Sequence, residues 1–170
     1  MYLFVFDVES DGLYGDGFAV GAVVTDKQGN VIDSVQACSL QNVTNEWVKE
    51  NVLPHLNDIP MVDSRRTVRD TFWQFYLKWK DQCHIFSDVA YPVEANFLRQ
   101  CALENNGEWV APFPLLDISS VMFACGYDPL TDGESFTGSS GAKHNPLFDA
   151  SVSAKKLARL IALGKLNNRD

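Results

Sequence analysis

The stretch Tyr2-Leu3-Phe4-Val5-Phe6-Asp7-Val8-Glu9 decides how the chain is read. Tyr2–Val8 is short, aromatic and β-branched, the composition of a buried strand. Residues two apart on a strand share a face, so Asp7 and Glu9 stand together on the side that carries Leu3 and Val5. Two neighbouring carboxylates repel, and near a core they are costly unless a cation neutralises them. The bland alternative is a strand that has emerged into water by residue 7, with both acids solvated.

Outward from that strand, Phe18–Thr25 predicts a second and Val31–Leu40 a third, separated by the turn composition of Asp26–Asn30. Strands joined by short turns must be antiparallel. The period then changes. Val68, Phe72, Phe75 and Trp79 mark one apolar helix face. His84–Val89 predicts strand four. Pro92 is expected to open a helix whose apolar side is Val93, Phe97, Leu98, Cys101 and Leu103. Leu115–Ile118 predicts strand five, and Ser119–Cys125 a short helix ended by Gly126. Tyr127–Lys143 lacks periodicity and predicts a long, permissive loop. Asn145 then predicts an N-cap and Pro146 the first residue of a helix running to about Leu163, with Gly164 as its stop. The order βββαβαβα implies an α/β fold, a mixed five-stranded sheet flanked by helices. All 170 residues, 46% of them apolar, fit one domain.

Fourteen basic against 22 acidic residues give a net charge of −8. That excludes a passive basic coat for DNA or RNA; a chain of this charge that handles nucleic acid needs another source of positive charge, and bound metal is the obvious one. No apolar stretch approaches a membrane span, and the N-terminal stretch lacks the basic flank and cleavage site of a secretion signal. Cys38, Cys83, Cys101 and Cys125 form no C-x-x-C pair, which points away from zinc and towards reduced thiols in a cytoplasmic protein.

Further acids complete a constellation. Asp7-x-Glu9-x-Asp11-Gly12 partly imitates a calcium loop, but the twelfth position is Phe18 and the flanks are strands, so that reading fails. Glu94 falls in the first turn expected after Pro92, and Asp88, six residues earlier, competes with it for the same role. In His144-Asn-Pro-Leu-Phe-Asp149-Ala, Asp149 lies one turn into the last helix. It sits roughly 110° from the centre of the apolar stripe through Ala150, Ala154, Leu157 and Ile161. His144 stands just outside the helix. Four carboxylates and a histidine suit two-metal phosphodiester cleavage. Hard oxygen ligands favour Mg²⁺ or Mn²⁺, and an imidazole titrating near neutrality can take a proton from water. His84, in a strand expected to be buried, and His55, which follows Pro54 at a helix end, are not expected to shape the pH profile.

These segments resemble a known family. Phe6-Asp7-Val-Glu9-Ser-Asp-Gly12-Leu13 resembles the first motif of the DEDDh 3′–5′ exonucleases, the DnaQ-like group of the ribonuclease-H-like superfamily. Val93-Glu94-Ala-Asn-Phe97-Leu98 resembles the second, Leu115-Leu-Asp117-Ile the short strand before the last motifs, and His144-x-x-x-x-Asp149-Ala the third. The resemblance implies a ribonuclease-H-like fold and a single exonuclease domain over 1–170. It implies metal binding by Asp7, Glu9, Glu94 and Asp149, with His144 as general base. The main chain near Ser10 and the side chains of Leu13 and Phe97 would hold the terminal nucleotide. The implied activity is release of nucleoside 5′-monophosphates from the 3′ end of single-stranded DNA or RNA. Glu94 departs from the family pattern, which has Asp at that place. A homodimer or a polymerase partner stays open. The rivals are a ribonuclease-H-type endonuclease, which would not need His144, and a decayed accessory module that binds nucleic acid without cleaving it.

Overall fold

Strand β1 (Tyr2–Ser10) pairs antiparallel with β2 (Gly17–Thr25) on one side and parallel with β4 (Cys83–Ser87) on the other. β3 (Val31–Cys38) and the two-residue β5 (Leu116–Asp117) form the edges, giving the order β3-β2-β1-β4-β5. The structure, a computed structural model, describes residues 2–141 and 143–166. It contains the expected mixed five-stranded sheet flanked by helices.

Alternation along β1 sorts its side chains between two cores. Phe4, Phe6 and Val8 meet α2 (Arg65–Trp79) and α3 (Ala95–Glu104). There Phe4 and Phe6 pack edge-on or tilted against Phe72, at ring separations of 6.0 and 5.0 Å. Leu3 and Val5 meet α4 (Ile118–Ala124) and α6 (Pro146–Ala162) on the other face. Asp7 and Glu9 continue this second row, so the acids point to the side where α6 lies.

Gly21 sets how closely α6 approaches. It lies opposite Asp7 in the β1–β2 ladder, and a Cβ there would collide with the backbone of Pro146 and Leu147. The first turn of α6 therefore rests on bare β2 backbone. Asn145 caps that turn as expected, its Oδ1 accepting from the Phe148 N–H at 3.2 Å.

Several expectations need correction. Pro92 does not open a regular helix. The residue before a proline is pushed out of the α region, and Tyr91 is accordingly extended (φ −120°, ψ 137°). A wide turn, Ala90–Glu94, intervenes, and α3 starts at Ala95 with Glu94 at its cap position. Leu103 is exposed, because the buried stripe of α3 runs through Phe97, Leu98, Cys101 and Ala102. His84 is exposed too, since β5 pairs with β4 only at Phe86 and Ser87 and leaves the earlier part of β4 as an edge.

Two helices had no bounds assigned from the sequence. Between β3 and α2 lie α1 (Glu46–Asn51) and a short 3-10 turn, Leu53–His55. Within the supposed loop is α5 (Gly133–Thr137), capped by Asp132 and held to α6 by Arg159, which donates to the Phe136 carbonyl. Of that loop, Ala142 lies outside the described residues.

Among the described residues, no helix is long and apolar enough to cross a membrane.

Candidate active site

Asp7 and Glu9 project from β1, and Asp149 from the first turn of α6. Each offers a carboxylate oxygen, and these oxygens all lie within 4.8 Å of one another. Glu94, at the cap of α3, is buried beside them but stands outside that triad. The Val8 N–H donates to its carboxylate.

Crowding and burial disfavour charge here. Burial first, then the charges of Glu94, Glu9, Asp149 and Asp88, raise the Asp7 carboxyl well above its usual range. Burial, with Asp149 and Glu94, pushes Glu9 up to about 8. Burial pushes Glu94 to about 7, with Asp88 and Asp117 adding to the effect. Burial raises Asp149 to about 6, opposed by the His144 N–H that its carboxylate accepts. Such a cluster at neutral pH lacks positive charge, and a divalent cation bound by hard oxygens would supply it. The donor set therefore fits a hard divalent cation.

His144 sits in the left-handed region (φ 65°) immediately before the Asn145 cap. Its Nδ1 lies 3.6 Å from Glu9 Oε1. Burial, then His55 and Lys143, lower the imidazole pKa below its ordinary value. That shift favours the neutral ring, for which the approach to Glu9 is not an ion pair. Trp47 meets it edge-on at 5.9 Å, and His55 lies 6.1 Å away. His55 consequently belongs to the surroundings of His144, contrary to the expectation from sequence.

Asp88 follows directly after β4 and is held by Lys156 of α6, whose Nζ donates to both carboxylate oxygens at 2.9 Å. Asp117 is a bracket rather than a ligand candidate. It accepts from the Ala90 N–H at 2.7 Å and from Ser119 Oγ and the Ser120 N–H, tying the turn before Glu94 to the start of α4. Asp11, despite its place in the first motif, turns away from the cluster. It accepts from the Thr44 and Asn45 N–H groups at 3.0 and 2.8 Å, and anchors the segment that leads into α1.

A cleft opens beside Glu9. The Ser10 hydroxyl donates to the Gly12 carbonyl, shaping the turn that carries Leu13. Leu13 and Trp47 are 60% and 59% exposed and line the cleft together with Val48 and Val93. Phe97 is not part of it. At 1% exposure it packs on Phe72 and beneath Gly17, as a core residue.

Sequence reasoning missed Trp47, His55, Lys156 and Glu134, whose charge bears on Asp149. Asn45 three residues before Val48, with Glu46 in the first turn, was the available signal for α1. Nothing local marked Lys156, which looks like any helix lysine. Compared with known proteins, the chain matches no family model and no curated relative.

Proposed function

We propose that this chain is a metal-dependent 3′–5′ exonuclease of ribonuclease-H-like fold, acting on single-stranded DNA or RNA. One observation carries the reading: three carboxylates from two distant chain segments converge beside a histidine, and one of them, Glu9, also lines an apolar cleft. The sheet order β3-β2-β1-β4-β5, with the acids at the end of its central strand, supports the same reading.

Asp7, Glu9 and Asp149, with Glu94 beside them, would hold two Mg²⁺ or Mn²⁺ ions. When bound, the ions supply positive charge to the phosphate and its reacting oxygens. The protein's own groups do the rest. His144 would accept a proton from the attacking water on the unprotonated nitrogen of its neutral ring. Leu13 and Trp47 hold the terminal base between an aliphatic and an aromatic wall, and base–aromatic stacking is tolerant of sequence.

The decisive experiment uses end-labelled single- and double-stranded DNA and RNA with Mg²⁺, Mn²⁺ or EDTA. Stepwise release of nucleoside 5′-monophosphates from the 3′ end, abolished by EDTA, is expected. Cleavage of circular strands would identify an endonuclease instead. Binding without cleavage under all conditions would identify an accessory module.

A further inference from the structure

Lys156 is 4% exposed, on the buried face of α6 two turns beyond Asp149. Helix residues seven apart lie on one stripe, so its ammonium reaches the same sheet rim as the acids. There it takes both oxygens of Asp88. Its stem is confined: a Cβ at Gly133 would come within 2.8 Å of Lys156 Cε and 2.7 Å of Val152 Cγ1. The start of α5 thus closes over the lysine without room for a side chain.

Asp88 is close enough for its charge to bear on Asp7, Glu94 and Asp149. It is a fifth carboxylate at a centre where four already match the charge of two divalent ions. A free Asp88 would compete for those ions and draw them towards β4.

We propose that Lys156 is a positioning residue: it occupies Asp88 and keeps it out of the metal centre, so that ions settle among Asp7, Glu9, Glu94 and Asp149. The catalytic consequence rests on the exonuclease reading, whereas the effect on metal binding does not.

The test is a double-mutant cycle in the full chain, with Mn²⁺ binding measured by calorimetry without substrate and 3′-end hydrolysis measured separately. Lys156→Met should bind Mn²⁺ about tenfold more tightly, through the released Asp88, and turn over about 10–100-fold more slowly. Lys156→Arg should stay close to wild type in both. Asp88→Asn with Lys156→Met should return both quantities to within about threefold of wild type.

Unchanged Mn²⁺ affinity in Lys156→Met overturns the proposal, because a purely structural ion pair would not move that readout. A double variant as slow as Lys156→Met also overturns it, since Lys156 would then act on substrate directly. Should Lys156→Met fail to fold, the double variant decides: wild-type Mn²⁺ affinity supports the proposal and an altered affinity refutes it. If the wild type hydrolyses nothing, the exonuclease reading fails, while the Mn²⁺ cycle still answers the question about Lys156.

Discussion

Gly21 stands directly across the β1–β2 ladder from Asp7, and the first turn of α6 rests on it. This contact sets the height of Asp149 above Asp7. Gly21→Ala must lift the helix or bend the strand, at a cost of about 1–3 kcal/mol, as overpacking usually does. Thermal unfolding should show that loss, and Mn²⁺ affinity should fall with it. A variant with unchanged stability and affinity would show that the close approach does not set the site.

The pH dependence of stability follows from the raised carboxyl groups. Asp7, Glu9, Glu94 and Asp149 hold protons in the folded state to higher pH than in the unfolded chain. Between their ordinary pKa and about 8, the value for Glu9, the folded state binds more protons, so stability falls as pH rises. His144, with a lowered pKa, works weakly in the opposite direction. In EDTA, the melting temperature should be lower at pH 8 than at pH 5. Mn²⁺ should raise it most at pH 8. Asp7→Asn should abolish hydrolysis yet melt higher than wild type in EDTA at pH 8.

Glu94 and Asp88 can be separated by activity. Glu94 is buried beside the triad, whereas Asp88 is engaged by Lys156. Glu94→Gln should eliminate hydrolysis, and Glu94→Asp should leave part of it, because charge is kept while reach shortens. Asp88→Asn should retain most activity at saturating metal and require more Mn²⁺, since it leaves Lys156 unpaired. An inactive Asp88→Asn together with an active Glu94→Gln would reverse the assignment.

General-base catalysis by His144 requires a neutral ring, so activity should rise through its pKa. That rise should centre below the ordinary histidine value, because burial, His55 and Lys143 all disfavour imidazolium. The Glu9 carboxylate also faces the ring, and bound ions would offset it. His144→Ala should slow turnover about 10²–10⁴-fold. His55→Ala should shift the midpoint upward with little change in the plateau. A pH profile that ignores both substitutions would remove His144 from the mechanism.

Trp47→Ala should raise KM for single strands about tenfold while kcat changes little, in keeping with the loss of about 1–3 kcal/mol per stacked base. Trp47→Phe should recover most of the affinity. Equal losses in kcat for both variants would mean that the indole supports His144 rather than the substrate.

What could be read from the sequence was whatever local chemistry fixes. The alternation of Leu3, Val5, Asp7 and Glu9 put two acids on one face, and Asn145-Pro146 started a helix at the residue observed. Asp149 followed from helix geometry. What escaped depends on contacts between distant segments. No periodicity announces that Lys156 will meet Asp88, 68 residues away. Phe97 and Leu13 were alike as apolar candidates for the cleft, and only packing sends one into the core and the other to the surface. The wide turn before Glu94 has the same origin, since Pro92 is compatible both with a helix start and with an extended residue before it.

The segment between β3 and α2 has its own small core, in which Val48, Val52, Leu56 and Ile59 pack on Phe18 and Cys38. It is tethered to the first motif through Asp11 and carries Trp47 and His55 on its outer side. The wall of the cleft is thus built on a different piece of chain from the carboxylates at the end of β1. Substitutions on that outer side can alter the cleft wall while Asp7, Glu9 and Asp149 keep their places. On the exonuclease reading proposed above, substrate preference and bond cleavage are open to separate evolutionary adjustment, and an engineer could graft a new recognition wall here without rebuilding the carboxylate cluster.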